Sequence, residues 1–277
     1  MGEVPHTAEM AAVVGSITHL GDADVDRHVC TGSHGGVAVG KYAAFRRVRS
    51  LICHDAGIGK DEAGIRALAF LDIVGLAAAA VDHRTARIGD ADDMIARGVI
   101  SRTNETAVQS GVRAGMTCEE AFGVFQHHAP MPKPAERAAP ETFRRIAIAV
   151  SSGAQVHALD SASSITEEDA GRVVVTGSHG GLPGAAPAKA IKAEVRFAAF
   201  NDAGIGINDA GIARLAALED IGVAAVTVGC ESARIGDGLS TYETGVISHM
   251  NDHARALGAR LDAPLRDVVD QLLEGKT

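Results

Sequence analysis

Tryptophan is absent from these 277 residues, and Phe and Tyr leave the aromatic share at 3%. Any core must therefore be built from Ala, Val, Ile and Leu around 32 Gly, a composition suited to closely approaching helices and strands. Basic runs are missing as well. The densest patch, Arg46-Arg47-Val48-Arg49, reads as a solvated face, and with a net charge of −9 it argues against nucleic acid as a partner. No apolar run approaches the roughly 18 residues that span a bilayer, and the N-terminus shows no basic region followed by an apolar one. The expectation is a cytoplasmic protein with no membrane partner. The four cysteines, Cys30, Cys53, Cys118 and Cys230, have no CxxC spacing, which fits reduced thiols.

What the chain does have is repetition, and 46% apolar residues to build a core. Thr31-Gly-Ser-His-Gly-Gly36 returns as Thr176 to Gly181. Asp55-Ala-Gly-Ile-Gly59 returns as Asp202 to Gly206, Ala86-Arg-Ile-Gly-Asp90 as Ala233 to Asp237, and Gly98-Val-Ile-Ser101 as Gly245 to Ser248. The chain reads as an internal duplication of the α/β class, each half a mostly parallel sheet flanked by helices. The boundaries are a first repeat over 1–128, a Pro-rich linker over 129–140 and a second repeat over 141–277.

Within each half, a first strand ends near residue 15 (with Val4 and Met10 leading into it) or spans 155–159. An acidic turn follows, then short apolar strands that run into the Gly-rich turns, and a helix-like segment leading to 49–53 or 195–200. Ile65, Leu68 and Leu71, like Ile212, Leu215 and Leu218, recur at helical spacing, with Gly75 and Gly222 as C-caps. The runs 76–81 and 223–228 are continuously apolar, as in strands covered on both faces. Long helices are expected over 92–111 and 242–257, each followed by a last helix.

The repeated motifs all fall at strand C-terminal ends, where open parallel sheets bind ligands. Gly32 to Gly36 and Gly177 to Gly181 can present backbone N–H groups to an anion or oxyanion. The bland alternative is a tight strand-to-helix turn. His34 and His179 then supply acid, base or metal-ligand chemistry. Asp55 and Asp202 either hold a His, metal or hydroxyl, or cap the next helix. Arg87 with Asp90, and Arg234 with Asp237, form either a guanidinium fork for an anionic substrate or an internal ion pair. Ser101 and Asn104, like Ser248 and Asn251, share a face if their segment is helical, where they either line the pocket or cap the helix.

The halves differ where Asp82-His83-Arg84-Thr85 aligns with Gly229-Cys230-Glu231-Ser232, and Cys230 follows an apolar strand at a sharp turn, as an activated thiolate would. The functional expectation is a hydrolase of an amide-like C–N bond in a small polar or anionic metabolite. His34, His179, Asp202 and Cys230 are its catalytic candidates. Ser33, Arg87, Gly177, Ser178, Gly180, Gly181, Arg234, Asp237, Ser248 and Asn251 contact substrate. No cofactor is required, although His34, His179, Asp55 and Asp202 can also be arranged around a divalent metal, Zn or Mn, in a lyase or isomerase. A non-catalytic phosphate- or carboxylate-binding module is the remaining class. Self-association into a homo-oligomer is expected.

Overall fold

Residues 11–132, 143–185 and 190–275 are described by the computed structural model. Val4, Met10 and residues 133–140 of the expected linker lie outside them. The first unit comprises Met1–Asp55 and Ile65–Glu141, and the second Ala56–Gly64 and Thr142–Thr277.

In the first unit, β1 (Ala11–Val14), β2 (His28–His34), β3 (Ser50–His54), β4 (Ala77–Val81) and β5 (Ile100–Thr103) form a five-stranded sheet in that order. The first four strands are parallel and β5 is antiparallel to β4, so the sheet is mixed. With right-handed crossovers, a monotonic strand order puts every crossover on one face. The cores agree. Val29, Leu51, Cys53, Ala78 and Ala80 pack with α1 (Val37–Phe45) and α2 (Ala67–Ile73) on one side. Cys30, Ile52, Ala77, Ala79 and Val81 face the other side with α3 (Ala91–Arg97), α4 (Glu105–Gln109) and α5 (Cys118–His128). The period-2 alternation of buried strands assigns each residue its face.

The second unit holds a six-stranded mixed sheet in the order β11-β10-β9-β8-β7-β6. Its strands are β6 (Arg145–Ala149), β7 (Gln155–Leu159), β8 (Val173–His179), β9 (Phe197–Asn201), β10 (Ala224–Val228) and β11 (Ile247–Met250). β7 to β10 run parallel, while β6 and β11 are antiparallel edges. One face carries α6 (Arg214–Glu219). The other carries α7 (Gly238–Thr244), α8 (Asp252–Ala256) and α9 (Leu265–Glu274).

Gly75 and Gly222 adopt φ of +69° and +77°, ending α2 and α6 as left-handed caps. Two helical expectations fail. The stretch 92–111 is α3, β5 and α4 rather than one helix, and 242–257 is the end of α7, then β11 and α8. Gly98 and Gly245 close α3 and α7 because a Cβ there would lie 2.4 and 2.3 Å from the preceding turn's carbonyl oxygens. The β-branched residues that follow then extend along the sheet edge. Between β8 and β9 the described residues show a 3₁₀ turn at Pro183–Ala185 instead of a helix, with Gly184 at φ +61° and Pro183 lacking an N–H donor.

Candidate functional site

The Gly-rich turns close on themselves. The Gly35 N–H donates to the His54 carbonyl at 2.9 Å and the Gly36 N–H to Nδ1 of His34 at 3.1 Å. In the second unit, Gly180 N–H reaches the Asn201 carbonyl at 2.8 Å and Gly181 N–H reaches Nδ1 of His179 at 3.1 Å. Ser33 Oγ accepts from Ile17 N–H at 3.0 Å and Ser178 Oγ from Ala162 N–H at 2.8 Å. Gly177 is a contact glycine: a Cβ on it would lie 2.3 Å from the Asp237 nitrogen, and its carbonyl accepts Gly236 N–H at 2.7 Å. Of the expected oxyanion cradle of Gly177, Ser178, Gly180 and Gly181, the N–H groups of Gly180 and Gly181 are bonded within the turn and its flanking strand. Those two amides are spent within the protein.

His34 and His179 serve that turn as acceptors rather than as bases. Both are buried. Because Nδ1 of His34 accepts, its proton sits on Nε2, and burial together with the nearby His54 lowers the pKa to about 4.

The remaining substrate candidates are likewise engaged. Arg87 pairs with Asp90 at 3.3 Å and Asp93 at 2.9 Å. Arg234 pairs with Asp237 at 3.1 Å and Asp61 at 3.2 Å. Asp237 also caps α7 through Ser240 N–H. These are internal ion pairs. Asn251 caps α8 and pins β10, accepting from Ala254 and Ala225 N–H at 3.0 and 2.9 Å and donating to the Val223 carbonyl at 2.8 Å. Ser248 lies on β11, 3.2 Å from Thr227 Oγ1. Because β5 and β11 replace the helices expected there, the shared helix face of Ser and Asn does not exist.

Asp202 is buried and its Oδ1 accepts from Gly204 N–H at 3.0 Å and Cys230 N–H at 2.9 Å. It organises a left-handed run, Ala203 to Gly206, in which even Ile205 has φ of +63°. Cys230 is half-buried, its carbonyl accepts Lys60 N–H at 2.9 Å, and its Sγ would lie 3.3 Å from a Cβ on Gly57. Burial, with the charges of Asp202 and Glu231, pushes the thiol up to about 12. An activated thiolate is the opposite of that environment.

The first unit's counterpart is different. Register pairing of His54 with Val81 brings Asp55 beside the residues that follow β4. Asp55 Oδ1 accepts from the His83 backbone N–H and from His83 Nδ1, each at 3.0 Å, and Ser101 Oγ lies 2.9 Å from Oδ2. Since a carboxylate only accepts, Nδ1 carries the proton. The Asp55 carboxyl is 2% exposed, whereas the His83 side chain is 21% exposed and its Nε2 has no partner among the described residues. Burial alone raises the Asp55 pKa, but the His83 bond, the charges of His54 and His83 and the Ser101 hydroxyl outweigh it and hold the carboxyl below its ordinary range. The bond to Asp55 lifts His83 above its ordinary value against the effect of burial.

Asp82 adjoins the pair, and ligand atoms of Asp55, Asp82 and His83 lie within 4.8 Å of one another, the one set among the described residues that can hold a metal. His83 was not among the sequence-derived site residues, and Ser101 entered only as a residue that lines a pocket or caps a helix. The signal that marks them is the exchange of His83 for Cys230 at one aligned position. No helix is long and apolar enough to cross a membrane among the described residues. Compared with protein-family models, curated proteins and solved structures, the chain matches none.

Proposed function

We propose that the chain is an internally duplicated enzyme whose reaction centre is the Asp55–His83–Ser101 corner of the first unit, with the second unit as its non-catalytic copy. The observation that carries this reading is the hydrogen bond from His83 Nδ1 to the buried Asp55 carboxylate, which fixes the tautomer and leaves Nε2 outward. That is the arrangement of a general base oriented by a carboxylate. The second corner keeps Asp202 but offers only an unactivated thiol.

The reaction is hydrolysis of an amide-like C–N bond in a small polar or anionic metabolite. His83 Nε2 takes a proton from water as the water oxygen bonds to the carbonyl carbon. Asp55 stays ionised and stabilises the imidazolium, and Nε2 returns the proton to the nitrogen as the C–N bond breaks. Ser101 holds the second carboxylate oxygen. We place the enzyme in the cytoplasm as a homo-oligomer, on the four free cysteines and the sequence composition.

The test is turnover on a panel of small anionic amides. His83→Ala lowers kcat/KM by about 10²-fold or more, the usual cost of a general base, while Cys230→Ser leaves it unchanged. Equal activity of wild type and His83→Ala refutes the assignment. Stabilisation by a panel member without turnover identifies a binding module instead.

A second reading rests on the Asp55, Asp82 and His83 donor set, which suits Zn or Mn in a metal-assisted lyase or isomerase. Those three residues would hold the ion, which would supply Lewis-acid chemistry. Metal analysis of purified wild type and Asp82→Asn separates the two readings, because only the metal reading needs Asp82.

A further inference from the structure

The second unit buries a guanidinium that no charge among the described residues neutralises. Arg214, the first residue of α6, is 4% exposed. Its Nε and Nη2 donate to the Gly181 carbonyl at 3.2 and 2.9 Å, and its Nη1 donates to the Ala190 carbonyl at 2.8 Å. The guanidinium carbon sits 4.7 Å from the centre of the Phe200 ring. Three bonds serve a group with five N–H donors, so two donors have no acceptor among the described residues. Burial is the sole influence on its pKa, which falls to about 10. A desolvated cation without a counter-charge is costly, and the same desolvation makes it a strong partner for an anion.

The first unit shows what this place holds when no cation is needed. There Ala67 N–H donates to the Gly35 carbonyl at 2.8 Å, as Arg214 N–H does to the Gly180 carbonyl at 2.7 Å. Gly40 of α1 packs directly on Ala67, with a Cβ built on Gly40 falling 2.9 Å from the Ala67 Cβ. One residue beyond Gly181 the chain reaches the surface: Leu182 and Pro183 are half-buried and Gly184 is exposed.

We propose that Arg214 is the centre of an anion site in the second unit, taking a small oxyanion, the carboxylate or phosphate group of a metabolite, on its two unused N–H donors. Planar, forked N–H pairs match either group. The site is independent of the His83 corner, so its failure leaves the proposed reaction untouched.

The experiment is a thermal-shift titration of the full chain with inorganic phosphate and, separately, malonate, each against chloride at equal ionic strength. For wild type, at least one oxyanion raises Tm by roughly 3 °C or more well above its Kd. Response to phosphate alone or to malonate alone identifies which group the site takes. Arg214→Met abolishes the rise, and its ligand-free Tm equals or exceeds that of wild type, because an uncompensated buried charge has been removed. No response of wild type beyond chloride overturns the proposal, as does an equal response in Arg214→Met. Should that variant fail to fold, the Arg214 Nε–Hε resonance of wild type decides: a shift that saturates with oxyanion supports the site, and an unmoved resonance overturns it.

Discussion

Acid should loosen the first unit through His34, by an amount the geometry sets. The neutral ring accepts the Gly36 N–H at Nδ1, so protonation there removes the bond and leaves a charge in a residue only 8% exposed. Its folded pKa is about 4 against an ordinary 6.5. A histidine depressed in this way binds fewer protons folded than unfolded, so stability is complete above 6.5 and is lost as pH falls toward 4. A gap of about 2.5 units corresponds to a loss of about 2 kcal/mol at pH 5 and about 3 kcal/mol at pH 4. His34→Asn is the informative variant. An Asn side chain at this position accepts the N–H two residues on, as in an Asx turn, and does not titrate. Urea denaturation at pH 7, 5 and 4 should show wild type losing about 3 kcal/mol more than His34→Asn over that range. Parallel losses in the two proteins would refute the assignment of His34 as a neutral acceptor.

Other outcomes follow from the same packing. Asn251→Ala strips three buried bonds and should cost about 3 kcal/mol or more in urea unfolding, whereas a loss below about 1 kcal/mol, the worth of one ordinary bond, would mean water replaces them. Gly177→Ala drives a Cβ against the backbone of Gly236, Asp237 and Asp160, where no side chain can yield, and should cost about 3 kcal/mol or prevent folding; an unchanged Tm contradicts that contact. Ile205→Asn relieves a β-branched residue at φ +63° and should raise stability by up to roughly 1 kcal/mol, with a lower Tm counting against strain at this loop.

Much of the fold was legible because its signals are local. The apolar runs 76–81 and 223–228 contain β4 and β10, and Gly75 and Gly222 end helices where a left-handed residue is required. The long helices were not legible. An edge strand of four residues, such as Ile100–Thr103, has too few positions for period 2 to stand out from period 3.6. Nor was the fate of the TGSHGG amides. Composition shows that glycines can offer N–H groups to a ligand, but only the register with His54 and Asn201 shows that the Gly35 and Gly180 N–H groups are already taken.

The pair His54 and Asn201 shows what structural work a repeated position can do. His54 Nε2 donates to the Ala86 carbonyl at 3.0 Å and Asn201 Nδ2 donates to the Ala233 carbonyl at 3.0 Å, so an imidazole and an amide do one backbone duty in two places. Residues kept identical in both halves, Asp55 and Asp202 among them, answer to duties of this kind, since each accepts the N–H of the residue at position 83 or 230. Chemistry is then to be sought where a shared duty is joined by an unshared side chain. That happens at Asp55, which the His83 ring meets and to which Cys230 has no imidazole counterpart. The meeting is a consequence of parallel register. His54 stands opposite Val81, so the residues just beyond each strand end are neighbours although 28 positions separate them in the chain. Sequence spacing hides such a pair until the strands are known to be adjacent and parallel. Once they are, a carboxylate and a histidine one and two residues past two paired strand ends form the natural place to look for an acid–base site.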